Sequence, residues 1–194
     1  LEGRGRLNSE FFWYDYQNFF NTGTGADGNF LVATNDAEIK GLELEGTFRI
    51  TDNFDIFGFF AWQDGEYKNR DPDAEFVGSE LQRLPELNYK IGGTYRYPIA
   101  SGEIIANASY QFVEDHFTNL QNTELARSSD INLLDATLGW ESDDGQWYVG
   151  VSCRNCTDDT YIQQSLDFAA FGFITVYPGE PRTWLVNVKV RTGN

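Results

Sequence analysis

The chain has 194 residues, of which 30 are acidic and 14 basic, for a formal net charge of −16. This balance argues against a nucleic-acid partner, because a phosphate backbone requires a basic surface. The chain contains 16 Phe, 10 Tyr and 5 Trp and no Met, a composition that suits an all-β protein, and it has no apolar run of the eighteen or so residues expected of a transmembrane helix.

Alternation of apolar and polar residues predicts about eight long strands that run up and down in an antiparallel order. In chain order they are Leu7–Phe20, Glu38–Ile50, Phe54–Lys68, Asn88–Tyr97, Glu103–Val113, Ile131–Glu141, Gln146–Arg154 and Pro181–Arg191. The fourth and fifth form a hairpin, and each has about ten residues, which is the length that a tilted strand needs to cross a bilayer.

The predicted connections alternate between long and short. Long loops are expected at Asn21–Asp36, Asn69–Leu87, Phe117–Asp130 and Asn155–Glu180, with tight turns between them. An antiparallel meander places alternate connections at opposite ends, so the loops share one end and the turns share the other. This asymmetry is typical of a transmembrane β-barrel with short periplasmic turns and long extracellular loops.

The two sides of the strands differ in chemistry. The apolar side is expected to contact lipid, and it includes Phe60, Trp62, Tyr95, Val186 and Val188. The polar side is expected to line the lumen, and it includes Glu43, Glu45, Lys90, Arg96, Asn107, Lys189 and Arg191. We therefore predict a segment of a transmembrane β-barrel.

Three segments resemble the TonB-dependent outer-membrane receptors. Ala37–Glu45 resembles a strand segment of that family, Arg154–Tyr161 its Asn-Leu-Thr-Asp…Tyr segment, and Pro178–Trp184 its Pro-Arg-Thr entry to the final strand. Cys156 stands where the family usually has Leu. Thr192-Gly193-Asn194 follow the last predicted strand, where the family normally ends in an aromatic residue.

The resemblance implies that residues 1–194 are the C-terminal portion of a barrel of about 22 strands, without its plug and earlier strands. It implies TonB-driven uptake of a scarce siderophore, cobalamin or glycan across the bacterial outer membrane. The ligand would bind at the extracellular loops, and TonB would act through the plug. No catalytic residue, metal or cofactor is expected, the protein is not expected to be an enzyme, and the ligand-binding residues are not identified.

Two alternatives remain open. A complete eight-stranded barrel with a structural or adhesive role would pair Leu7–Phe20 with Pro181–Arg191, whereas a barrel segment would form an open sheet with two unpaired edges. A secreted, soluble β-sandwich that binds glycans through exposed aromatic residues is the other alternative.

Four further patterns are expected to carry no chemistry. Gly23–Gly28 fits Gly-x-Gly-x-x-Gly but is followed by no helical pattern, and Asp71–Glu75 lacks the glycine of a calcium loop. His116 has no second histidine or obvious nucleophile with which to act as a general base. A strand would place Cys153 and Cys156 on opposite faces, so the pair is expected to be incidental unless the chain turns at Asn155.

Overall fold

The computed structural model describes residues 3–24, 28–69 and 80–192. Its eight long strands are β1 (Gly5–Thr24), β2 (Phe30–Thr51), β3 (Phe54–Asn69), β4 (Leu87–Ile99), β5 (Gly102–Val113), β8 (Ile131–Ser142), β9 (Trp147–Arg154) and β12 (Thr183–Val190). Four short strands lie in the connections: β6 (His116–Phe117), β7 (Arg127–Ser128), β10 (Ile162–Phe168) and β11 (Phe173–Pro178). Short 3-10 turns occupy Glu124–Ala126 and Ala169–Phe171. None of the helices described is long and apolar enough to cross a membrane.

The eight long strands form one antiparallel sheet in the order β1-β2-β3-β4-β5-β8-β9-β12, which is also their order along the chain. The predicted all-β meander is therefore confirmed. Within the described ranges, β1 pairs only with β2 and β12 only with β9, so the sheet is open with two edges. This arrangement does not favour the closed eight-stranded barrel, which needs a β1–β12 ladder, or the sandwich, which needs a second large sheet.

The prediction of a long first loop at Asn21–Asp36 was wrong for most of its length. The ladder between β1 and β2 continues past the apolar region, with Phe20 opposite Thr34 and Thr22 opposite Val32. These two strands reach 20 and 22 residues. The extension could not be recognised because backbone pairing needs no apolar alternation where neither face of the strands is buried in a core.

Two of the other predicted loops contain short hairpins. The segment Phe117–Asp130 contributes to the β6–β7 pair, and Asn155–Glu180 contains the β10–β11 hairpin. We refer to the end of the sheet that carries these segments as the loop end, and to the opposite end as the turn end.

The tight turns are confirmed at the turn end, where β2–β3, β4–β5 and β8–β9 are each joined by a few residues. In the last of them, the Ser142 hydroxyl and the Gln146 N–H donate hydrogen bonds of 2.5 and 2.9 Å to the Asp144 carboxylate. These bonds hold the pKa of Asp144 below its usual value, because they stabilise the ionised carboxylate.

One face of the sheet is apolar across all eight strands, and we call it the apolar belt. Cross-strand pairing places on it Leu7, Phe11, Leu42, Leu44, Phe48, Phe54, Ile56, Phe60, Trp62, Ile91, Tyr95, Leu138, Val149, Val151, Val186 and Val188. The five residues predicted to face lipid all lie here and are exposed: Phe60 36%, Trp62 39%, Tyr95 45%, Val186 76% and Val188 59%. Monomers in water rarely expose an apolar surface that extends over a whole sheet.

Aromatic rings cover glycines on the opposite, polar face. Rings of Phe12, Phe57 and Tyr148 lie over the positions that a side chain would fill at Gly41, Gly92 and Gly139, respectively. A ring that spans a missing side chain in a neighbouring strand fixes the register of the pair. These glycines are therefore required by close packing between strands.

Replacement of Gly41 by alanine is expected to destabilise the sheet by about 1–3 kcal/mol, as is usual for overpacking. The new Cβ would lie 2.4 Å from Phe12 Cζ and 2.6 Å from the Trp62 carbonyl oxygen, and the latter belongs to the backbone. Gly46→Ala is the matched control, because its Cβ would meet no atom closer than 3.4 Å. Urea unfolding in detergent micelles compares the two, and equal unfolding midpoints would contradict the prediction.

Candidate functional site

The polar face carries the side chains that were predicted to line a lumen. Arg96 pairs with Glu103 at 3.1 Å and Arg191 with Glu141 at 3.7 Å. The Asn107 amide donates a 2.7 Å hydrogen bond to Thr94 Oγ1 on the neighbouring strand. Lys189 lies 5.5 Å above the Tyr148 ring. The contacts of Arg96, Asn107 and Lys189 join neighbouring strands, whereas Arg191, just after β12, reaches past β9 to β8. All of them lie on the face opposite the apolar belt.

An acidic groove of about 580 Å³ runs over the polar face of β1 to β4. Glu10 and Glu43 are direct cross-strand partners in it, and Glu45 and Lys90 also line it. Like charges directly opposite each other destabilise a sheet. No salt bridge to these three glutamates occurs among the described residues. The groove therefore suits cationic or hydrogen-bond-donating groups.

Glu10 was not among the residues predicted to line the lumen. The alternation in β1 could not assign its faces, because Phe12, Tyr14 and Tyr16 on one side are as aromatic as Phe11 and Trp13 on the other. The pairing with β2 resolves this, since Glu10 opposes Glu43. Its cross-strand partner was the only signal that could have identified it.

A small core packs the loop end against the polar face. Leu81 and Leu120 are buried with Ala37 and Tyr67, and Leu84 packs beside them. A side chain at Gly65 on the polar face would meet Leu81 and Leu84. The described parts of the connections after β3 and β5 therefore fold over the polar face and leave the apolar belt uncovered.

Hydrogen bonds join the loop after β5 to the β10–β11 hairpin. The hydroxyls of Thr118 and Ser165 lie 2.7 Å apart and are both buried. The Asn119 amide and the Thr123 hydroxyl each donate a 3.1 Å hydrogen bond to Asp167 Oδ2. Buried polar groups that satisfy one another fix relative position as well as adding stability. The two segments are thus held together as one unit at the loop end.

The same loop carries an ion pair between Arg127 and Asp115. The guanidinium of Arg127 also lies 4.7 Å above the centre of the Phe117 ring. The hydrogen bond that Arg127 donates to Asp115 raises the pKa of Arg127 above its usual value. The guanidinium therefore remains charged and holds the base of this loop to the end of the sheet.

Two of the sequence motifs meet at the loop end in a cluster that we call the rim knot, formed by Asn155, Asp158, Asp159, Glu180 and Arg182. The Asn155 amide donates 2.9 Å hydrogen bonds to the carbonyl oxygens of Asp159 and Glu180. Its Oδ1 accepts one of 2.9 Å from the Asp159 N–H. Arg182 pairs with Asp158 at 3.1 Å. The rim knot therefore clamps both ends of the long connection between β9 and β12.

The expectation of an incidental cysteine pair was wrong, because Cys153 and Cys156 form a disulfide. Asn155 has a φ of +46°, and this left-handed residue turns the chain at the one position that could allow the bond. The two Cα atoms lie 5.6 Å apart, within the usual range for a disulfide.

Of the remaining singled-out patterns, only His116 lies wholly within the described residues. His116 Nδ1 lies 2.9 Å from the Glu114 carbonyl oxygen, a local contact. The central residues of Gly23–Gly28 and all of Asp71–Glu75 lie outside the described residues. Groups of His, Cys, Asp and Glu able to hold a metal do not occur in the described ranges.

The family described as "TonB dependent receptor-like, beta-barrel" matches residues 1–155. No curated protein sequence matches the chain. The chain is similar in structure to the ferric yersiniabactin uptake receptor FyuA from Yersinia pestis, with a TM-score of 0.81, 15% identity and coverage of 97% of this chain and 28% of that one.

Two further solved structures share the fold. The ferric-catecholate import receptor Fiu from K12 E. coli gives a TM-score of 0.74 at 20% identity, over 98% of this chain and 26% of that one. The copper transporter OprC gives a TM-score of 0.73 at 17% identity, and the match covers 97% of this chain and 29% of that one. The chain thus spans between 26% and 29% of the length of these proteins.

Proposed function

Because the chain belongs to the TonB-dependent receptor-like β-barrel family, we propose that it is the C-terminal part of a receptor that imports a scarce ligand across the bacterial outer membrane. A single observation carries this proposal: one open eight-stranded sheet has an apolar, exposed face and a polar face that receives the loops. Only a bilayer covers so extended an apolar face without a second protein layer.

Each surface has a role in this proposal. The apolar belt contacts membrane lipid, and the polar face lines the lumen around a plug contributed by another part of the receptor. The loop end faces outward and captures the ligand, and TonB supplies the energy through the plug. The barrel does no bond chemistry and needs no cofactor.

The loop after β5 and the β10–β11 hairpin, which hydrogen bonds join into one unit, support a role in ligand capture. Hydrogen bonds between Thr118 and Ser165 and from Asn119 to Asp167 hold two connections in a fixed arrangement over the polar face. Preorganised loops lose less entropy when they bind a ligand. The names of the similar structures include iron-siderophore receptors and a copper transporter, so we place a siderophore first among the ligands, ahead of cobalamin and glycans.

Uptake in cells with and without TonB tests the proposal. Bacteria that produce the receptor containing this chain should accumulate an ⁵⁵Fe-labelled siderophore from a panel that includes ferric yersiniabactin and ferric catecholates. ⁵⁷Co-cobalamin and labelled oligosaccharides extend the panel to the other ligand classes. Loss of uptake in a TonB-deficient strain is the expected result.

A variant in which a Gly-Gly linker replaces residues 162–178 should remain in the outer-membrane fraction but lose ligand binding. Recovery of the intact receptor from the soluble fraction would contradict the proposal. So would uptake of a panel member that is unchanged when TonB is absent.

A further inference from the structure

The apolar belt contains a depression at its middle. Gly46 on β2 and Gly58 on β3 are direct cross-strand partners there. The depression has a volume of about 620 Å³. The side chains of the belt that surround it are Leu7, Leu44, Phe48, Ile56, Phe60, Tyr89 and Ile91. Two adjacent positions without side chains thus open a hollow with an apolar rim.

The two glycines lie midway along the apolar part of their strands. On β2 the apolar run on this face extends from Leu42 to Ile50, and on β3 from Phe54 to Trp62. Gly46 and Gly58 are the central residues of these runs. If the belt spans the hydrocarbon layer, the depression therefore lies near the middle of the bilayer.

We propose that this depression binds one acyl chain of a membrane phospholipid, an inference that rests on the membrane location in the proposed function. A hollow that no atoms fill loses dispersion contacts along its whole lining, and a hydrocarbon chain restores them. Six of the seven belt side chains around it are aliphatic or Phe, and the Tyr89 hydroxyl is the one hydrogen-bonding group among them, so the lining favours hydrocarbon over a polar occupant. A buried water needs about two to four polar partners, and a single hydroxyl does not supply them.

The charges at the two ends of the belt indicate which leaflet of the bilayer supplies the lipid whose acyl chain enters the depression. Toward the loop end, the same face of β1 to β3 carries four carboxylates and two lysines: Asp15, Glu38, Asp64, Glu66, Lys40 and Lys68. Toward the turn end, the corresponding positions of β1 to β3 are uncharged and include Gly5, Ile50 and Phe54, and the neighbouring β4 adds Tyr95 and Tyr97. An excess of carboxylates repels the phosphate of a headgroup, so the lipid belongs to the leaflet at the turn end.

Substitutions that fill the hollow test the proposal. The receptor containing this chain is extracted from membranes, washed with phosphatidylethanolamine in mild detergent and analysed by native mass spectrometry. The wild type should retain one phosphatidylethanolamine, and Gly46→Leu should reduce its occupancy at least tenfold. Val188→Leu is the matched control, because it enlarges a belt side chain on β12, which does not line the hollow.

A second variant that fills the hollow, Ile91→Trp, enlarges a side chain on its rim and replaces no glycine. It should also lose the bound lipid. Equal retention of phosphatidylethanolamine by the wild type and Gly46→Leu would overturn the proposal. A wild type that retains no lipid would also overturn it, as would one that retains lipopolysaccharide or another protein in place of phosphatidylethanolamine. Ligand uptake by the same strains separates the two proposals. Normal TonB-dependent uptake without a retained lipid overturns the acyl-chain site alone, whereas absent uptake counts against the receptor function.

Discussion

Arginine at Val186 is expected to destabilise the membrane-inserted protein by about 2–4 kcal/mol, whereas arginine at the neighbouring Asn187 should cost much less. Val186 lies in the apolar belt opposite Val151, and Asn187 lies on the polar face opposite Gly150. In a bilayer the first substitution places a guanidinium in hydrocarbon, and the second places it beside the water of the lumen.

The two substitutions form a matched pair, because they are adjacent on one strand and introduce the same side chain. Folding into phosphatidylcholine vesicles under a urea gradient measures both free energies of unfolding. Equal losses would show that the apolar belt is not embedded in a membrane, and they would return the β-sandwich alternative to consideration.

The belt itself could be predicted from the sequence because strand periodicity is strict within a bilayer. Every second residue must be apolar wherever one face meets hydrocarbon. Runs such as Tyr89, Ile91 and Tyr95 therefore reveal both the strand and its face. The up-and-down order followed from the short turns, which join only adjacent antiparallel strands.

The loop end could not be predicted in the same way, because no such constraint acts there. The extension of β1 and β2 depends on backbone hydrogen bonds between Gly- and Asn-rich segments, which show no apolar alternation. The β10–β11 hairpin has exposed residues on both sides, including Leu166, Val176 and Tyr177. Its position depends on contacts with Thr118 and Asn119, which lie 47 and 48 residues earlier in the chain than their partners.

The rim knot lies between these two cases. The motif around Asn155 and the motif around Arg182 were both recognised, but from resemblance alone. Their physical reason is that they close one connection: the Asn155 amide reaches the Glu180 carbonyl oxygen, and Arg182 reaches Asp158. Two segments separated by some 25 residues thus make one structural unit, which neither periodicity nor composition indicates.

Asn155→Ala is expected to destabilise the connection between β9 and β12 by about 3 kcal/mol or more. The Asn155 side chain is buried, and its loss leaves the Asp159 N–H and the carbonyl oxygens of Asp159 and Glu180 without their partner. The three hydrogen bonds are partly buried, and each contributes about 0.5–1.5 kcal/mol. Alanine is also disfavoured at a φ of +46°.

Chymotrypsin measures this effect, because the β10–β11 hairpin offers it Phe168, Phe171, Phe173 and Tyr177. Cleavage that requires local opening should be about 100-fold faster in Asn155→Ala, since each 1.4 kcal/mol changes an equilibrium tenfold. Asn187→Ala is the control, because it removes an exposed asparagine from the polar face and should leave the rate unchanged.

Two further substitutions separate the backbone contribution from the hydrogen bonds. Asn155→Gly keeps access to the left-handed conformation and loses only the side-chain bonds, so its cleavage should be slower than that of Asn155→Ala. Asn155→Asp keeps the acceptor for the Asp159 N–H but turns a carboxylate oxygen toward the Glu180 carbonyl oxygen, and it should be cleaved nearly as fast as the alanine variant. An aspartate variant as resistant as the wild type would show that the two amide hydrogen bonds do not hold the rim knot, and that the Arg182–Asp158 pair is sufficient to close this connection.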